Sequence, residues 1–222
     1  DAASRRATLK PVFAALPKPS SSDLGQAALA LMNLKQREFH YAAYDLIAFF
    51  NDCADRTFLA TFGQQLICTK SWWDTVDGLG TAMVSPLLYR YPNRKLVQKW
   101  SRSNNIWLVR AAIQHQRGLR EETDVDYVLG ICSQHADSKE FFVAKAIGWA
   151  LRDISAFNAA AVKKFLKQHP VLSTVAIREA HRGLNFLEVG RFRQLLQRHA
   201  LRGCRFDFSS YFVVVVFADA AP

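Results

Sequence analysis

Cysteine is scarce in this chain and never paired. Cys53, Cys68, Cys132 and Cys204 lie far apart, form no C-x-x-C, and have no histidine at metal-ligand spacing. A disulfide framework and a zinc site of ordinary spacing are thereby excluded, which leaves buried free thiols in a reducing compartment as the expectation. The six histidines, His40, His115, His135, His169, His181 and His199, form no cluster and read as structural or surface residues. No apolar run approaches the length of a membrane span and no secretory signal opens the chain, so the expected location is the cytoplasm. Acid is short as well: 19 Asp and Glu stand against 29 Lys and Arg, a formal net charge of +10.

That excess lies between Asp1 and Ala200, because residues 201–222 carry two charges of each sign. A surplus of this size favours a polyanionic partner, and without a basic amphipathic segment of the membrane-surface kind it favours nucleic acid over membrane. With 50% of residues apolar and 22% charged the chain reads as globular, and its 222 residues suit one domain or one array of repeats. It opens at Asp1 rather than at methionine, as a fragment or processed form does.

What fills the sequence is helical periodicity. Apolar stripes at the α-helical period run through Arg5 to Leu16, Leu24 to Leu34, Arg37 to Asn51 and Thr57 to Lys70. A longer helix begins near Ser71 and is expected to bend or end near Ser85-Pro86. Further helices are predicted over Asn93 to Ser101, Asn104 to Arg120, Asp124 to His135, Ser138 to Ile154, Asn158 to Gln168, Ser173 to Leu184 and Leu187 to Leu201. Trp72-Trp73-Asp74-Thr75, Trp107-Leu108-Val109-Arg110 and Phe142-Val143-Ala144-Lys145 recur at a step of 35 residues, and Ile177-Arg178-Glu179-Ala180 follows them. Two helices per step make a helical repeat, and the W-x2-L-G-x2-Y pattern of tetratricopeptide units is absent. The expected fold is therefore all-α, an α-solenoid superhelix of HEAT-like repeats over residues 1–200. Basic and aromatic residues on the second helix of each unit would line a basic concave face able to cradle duplex DNA. The tail, 201–222, carries the β-branched run Tyr211 to Phe217 and is assigned no function.

Ser71-Trp72-Trp73-Asp74-Thr75-Val76-Asp77 organises the rest. On a helix Trp73 and Asp77 share a face. An unpaired buried carboxylate is costly, so Asp77 must point to water or meet a cation. Taken singly, Trp73 fits a core aromatic and Asp77 a solvated carboxylate or a partner for Lys70. Arg110 fits either a structural ion pair or a fork-shaped donor to phosphate. Trp72 and Trp107 read as core. Gly148 sits inside a helix at a cost of about 1 kcal/mol relative to Ala, which predicts a close approach beside Trp149. Lys139, Lys145 and Arg152 are phosphate-contact candidates alongside Arg110.

Three motifs in order, Ser71 to Asp77, Asn105 to Ile113 and Ser138 to Trp149, resemble those of the AlkD-type DNA alkylation repair glycosylases, with Arg37-Glu38-Phe39 and Arg178-Glu179-Ala180 flanking them. The resemblance runs from about Arg5 to about Leu184. That family's usual amino-terminal segment and the tail from about Leu201 have no counterpart in it. It implies a HEAT-like repeat enzyme that hydrolyses the N-glycosidic bond of positively charged N7-alkylguanine and N3-alkyladenine in duplex DNA, the lesion staying stacked. The catalytic cleft would hold Trp73, Asp77, Arg110 and Trp149. Asp77 would stabilise the oxocarbenium-like sugar and position water. No metal or cofactor would be needed, and the chain would act as a monomer on double-stranded DNA, with no membrane partner. A non-catalytic helical-repeat scaffold binding DNA or protein is the rival expectation, and it gives no reason for the paired Trp73 and Asp77.

Overall fold

Capping residues set the helix boundaries. In the computed structural model, which describes residues 1–185, every regular element is helical. Helix α1 (Ala2–Ala14) starts from an Asp1 cap, and α2 (Ser21–Asn33) opens on a reciprocal capping box between Ser20 and Asp23. Helix α3 spans Arg37–Phe49, and α4 (Gln64–Cys68) continues a π-helical turn over Leu59–Gly63. Helices α5 (Trp73–Leu79) and α6 (Ser85–Arg90) are the two ends of one rod, joined by a π segment over Gly80–Val84. Asn93, Asn105, Asp124 and Asn158 then cap α7 (Arg94–Ser101), α8 (Ile106–Ile113), α9 (Val125–Ser133) and α11 (Ala159–Gln168) through their side chains. Between the last two lies α10 (Phe141–Ser155), and one more helix covers residues 174–185. The helix expected over Leu187 to Leu201, the end of the 1–200 domain and the tail fall outside the described residues.

Near Ser85-Pro86 the rod does change geometry, with a π segment running up to Ser85 and Pro86 in the first turn of α6. Proline cannot donate to the Ala82 carbonyl, and the chain answers by widening the preceding turn to π geometry. Asn51 Nδ2, arriving from another unit, donates to Ala82 O at 2.8 Å. One boundary differs from the sequence-based expectation. Helix α8 ends at Ile113, well short of Arg120, because the chain turns away through Gly118 at φ +85° and Arg120 at φ +52°.

The helices pack as a stack of pairs: α2 on α3, α4 on α5, α7 on α8, α9 on α10. The second members, α3, α5, α8 and α10, also pack side by side in one row. Buried Leu46, Ile47, Leu66, Leu79, Trp100, Ile113, Ile147 and Leu151 run between the rows. Trp72, Trp107 and Phe142, which the 35-residue step places in register, meet in one aromatic cluster with ring centroids 5.0 to 5.9 Å apart. Charged side chains tie the row of second helices together. Arg5 of α1 bonds Asp45 of α3 at 2.7 Å, Arg37 and Tyr41 of α3 bond Asp74 of α5, and Arg110 of α8 bonds Asp77 of α5. The fold is thus the α-solenoid-like repeat that the periodicity predicts.

One buried histidine makes this stack sensitive to acid. His115, 2% exposed just beyond α8, donates from Nδ1 to Ala112 O at 2.7 Å, and burial pushes its imidazole down to about 4. An unfolded histidine titrates near ~6.5, so as pH falls the unfolded chain takes up this proton first. The loss of stability therefore starts near the unfolded value and is complete below the folded one. Between pH 7 and pH 5 it amounts to about 2 kcal/mol. His115→Gln should shrink the pH 7 to pH 5 difference in urea-unfolding free energy by about that amount. An unchanged difference would show that the ring is not buried neutral.

Candidate active site

The two carboxylates of the Ser71 to Asp77 stretch turn opposite ways. Asp74 in the first turn of α5 faces α3, accepting from Arg37 and from the Tyr41 hydroxyl at 2.7 Å, a bond that raises the Tyr41 phenol above its ordinary value. Asp77, one turn after Trp73, faces α8. There Arg110 grips it with both prongs of the guanidinium, Nε to Oδ1 at 2.8 Å and Nη2 to Oδ2 at 2.7 Å. Gln114 Nε2 adds a longer bond to Oδ1 at 3.3 Å. The pair is nearly dry, with side chains 1% (Arg110) and 12% (Asp77) exposed. Val76, Asp77, Gly80, Arg110, Ala111, Gln114 and Arg117 line a cavity of about 10 Å³, the scale of one water.

Arg110 therefore differs from one of its expected roles. Its remaining prong donates to Phe142 O at 2.6 Å, and with the side chain buried the guanidinium faces protein and is withdrawn from phosphate contact. Its observed place is as the clamp on Asp77. Trp149 of α10 lies against it, with Arg110 Cζ 5.1 Å from the indole centroid. Three more cations surround the same ring: Arg117 at 4.7 Å, Arg152 at 5.7 Å and Lys145 at 6.0 Å. Asp77, Arg110 and Trp149 are thus brought into one cluster. Trp73 sits one turn from Asp77 and is 43% exposed, so it is no core residue. Trp72 corrects the expectation of burial, because it is 45% exposed at the edge of the aromatic cluster, whereas Trp107 is half-buried against the core.

The close approach predicted at Gly148 is real. A Cβ there would meet Glu179 Cβ at 2.7 Å and the Ala176 backbone at 3.1 Å, so only glycine lets the helix over residues 174–185 settle onto α10. That contact brings Glu179, 1% exposed, beneath three cations: Lys145 at 2.6 Å, Arg152 at 2.8 Å and Arg182 at 2.7 Å. Burial pushes the Glu179 carboxyl up, but the Lys145 hydrogen bond and the charges of Lys145, Arg182 and Arg152 outweigh it and hold the group below its ordinary value. Lys145 and Arg152 are consequently oriented partners of a buried carboxylate rather than loose surface cations. Lys139 is exposed just ahead of α10. Sequence reasoning missed Gln114 and Arg117, and Glu179 entered it only within the flanking Arg178-Glu179-Ala180 motif. A signal for the first did exist, since Gln114 stands four residues after Arg110, on the same helical face.

Among the cysteines, Cys132 is buried as expected, but Cys53 is half-buried and Cys68 exposed. Among the described residues no three His, Cys, Asp or Glu side chains are grouped to hold a metal, and no helix is long and apolar enough to cross a membrane.

Comparison with known proteins gives this geometry a family. A solved structure described as a predicted DNA alkylation repair enzyme from Enterococcus faecalis superposes with a TM-score of 0.72 at 28% identity, covering 81% of this chain and 84% of that one. No curated protein matches. Residues 1–184, which contain every site residue named above, match the profile of the family described as DNA alkylation repair enzyme. The chain belongs to the DNA alkylation repair enzyme family.

Proposed function

We propose that the chain is a DNA glycosylase that hydrolyses the N-glycosidic bond of positively charged alkylated purines, N7-alkylguanine and N3-alkyladenine, in duplex DNA. The observation that carries this reading is the Asp77–Arg110 clamp, a nearly dry carboxylate fixed in two places one turn from an exposed tryptophan. In a cationic lesion the base is already a good leaving group, so no general acid is called for. The barrier lies in positive charge developing on the deoxyribose. Asp77, its rotamer fixed by Arg110, stabilises that charge and directs a water to the anomeric carbon, as preorganised electrostatics require. The faces of Trp73 and Trp149 contribute cation–π and CH contacts to the charged nucleotide, worth about 0.5–2 kcal/mol each. Lys139, Lys145 and Arg152 carry the phosphate contacts, with Glu179 holding the last two in place. Such a site has no need to extrude the nucleotide, and the lesion stays stacked. Its substrate is double-stranded DNA, taken by a monomer.

The reading predicts that substrates divide by charge. Duplexes carrying a single 7-methylguanine or 3-methyladenine should lose the base, while uracil and 8-oxoguanine duplexes should not, as followed by chromatography of the released base. Release of uracil at a comparable rate would mean that the leaving group is activated by the protein, and the electrostatic account would fall.

A further inference from the structure

Asp77 is held from two directions, and only one of them is accounted for by its ion pair with Arg110. Among the described residues, Oδ2 accepts a single donor, Arg110 Nη2. Oδ1 accepts two, Arg110 Nε and Gln114 Nε2. Gln114 is the C-cap of α8 and only 6% exposed, a place where an amide is costly unless its polar atoms are used. Its orientation is not free. Arg117 Nη1 donates to Gln114 Oε1 at 3.2 Å, so the carbonyl end of the amide belongs to Arg117 and the NH2 end is turned to Asp77. Arg117 is in turn the cation nearest the Trp149 ring, at 4.7 Å. The run Arg117, Gln114, Asp77 thus closes a second arm around the same small cavity that Arg110 borders.

Resting on the reading of Asp77 as the catalytic carboxylate, we infer that Gln114 is a positioning residue for the glycosylase reaction, and that Arg117 acts through it. A bidentate pair with Arg110 resists rotation of the carboxylate within its plane, and its softest remaining motion is a tilt about the line joining the two oxygens. A third donor on Oδ1, from a second residue, opposes that tilt and leaves the open lone pair of the group on Oδ2. The arm matters while charge develops on the sugar, when the position of the carboxylate decides how strongly it acts. It contributes nothing to the hold on DNA, because Gln114 is buried.

The test is single-turnover release of 7-methylguanine by the full chain, read together with the dissociation constant for the same lesion duplex. Gln114→Met keeps the length and apolar contacts of the side chain and removes its polar atoms. Gln114→Asn keeps a neutral amide in the same place but ends one methylene short of Asp77. Both should lower the rate constant about tenfold while the dissociation constant stays within about twofold of the wild type. Should the Met variant lose its helical circular dichroism, the polar Asn variant decides alone. A full rate in Gln114→Asn, or a rate that falls only in proportion to lost affinity, overturns the inference. Wild-type protein and Asp77→Asn run beside them. An active wild type and a slow Asp77→Asn with a full-rate Gln114→Asn remove Gln114 and leave the glycosylase reading standing. A wild type that releases no 7-methylguanine overturns that reading and this inference with it.

Discussion

Replacing Arg110 by methionine should cost the fold about 3–5 kcal/mol and take base release with it. The expectation follows from burial. Arg110 is 1% exposed and Asp77 12%, so removing the guanidinium leaves a carboxylate in a dry place with one long hydrogen bond from Gln114. It also removes the donor that Arg110 Nη1 gives to Phe142 O. An exposed ion pair would contribute about 1 kcal/mol or less, and the difference between these magnitudes makes the experiment decisive. Chemical denaturation of Arg110→Met measures the loss, and the double substitution Arg110→Met with Asp77→Leu should recover most of it, since neither charge then stays buried alone. Stability would return without activity. A single variant as stable as the wild type would mean that the pair opens to solvent, and the clamp would be no part of the site.

The parts of this molecule that could be read from sequence are those that depend on side chains recurring along one helix face or from repeat to repeat. The 35-residue step gave the register, and Trp72, Trp107 and Phe142 meet because they occupy the same place in successive units. The shared face of Trp73 and Asp77 follows from the helical period alone. Gly148 carried its own message, because a helical glycine is unfavourable without a neighbour that needs the space, and Glu179 and Ala176 are that neighbour.

Exposure was the illegible part. Tryptophan at helical spacing is apolar enough for a core, yet Trp72 and Trp73 stand at the start of α5 and are left 45% and 43% exposed. Arg110 looked equally suited to phosphate and to carboxylate. The choice was made by packing between α5 and α8, which buries its head against Asp77. The Ala82 carbonyl, which Pro86 cannot serve, takes its bond from an asparagine of another unit, Asn51, and no local pattern reveals that. Nor does sequence say that Glu179 would gather Lys145, Arg152 and Arg182. A carboxylate and a cation one repeat apart can pair across the row or each face water, and only the depth of the contact at Gly148 decides between them.

The claim on which the functional account turns is that Asp77 acts by its charge. Asp77→Asn keeps the size of the side chain and one oxygen for Arg110, and removes the negative charge from the cleft. The measurement is the single-turnover rate of 7-methylguanine release from a duplex with one lesion, at saturating protein and with the folded fraction read by circular dichroism. The account predicts a rate slower by about 100-fold or more, the scale seen when one preorganised electrostatic group is lost. Affinity for undamaged duplex should be unchanged or higher, because removing a negative charge can only lessen repulsion of the phosphates. A folded Asp77→Asn protein that releases the base at the wild-type rate would contradict the account.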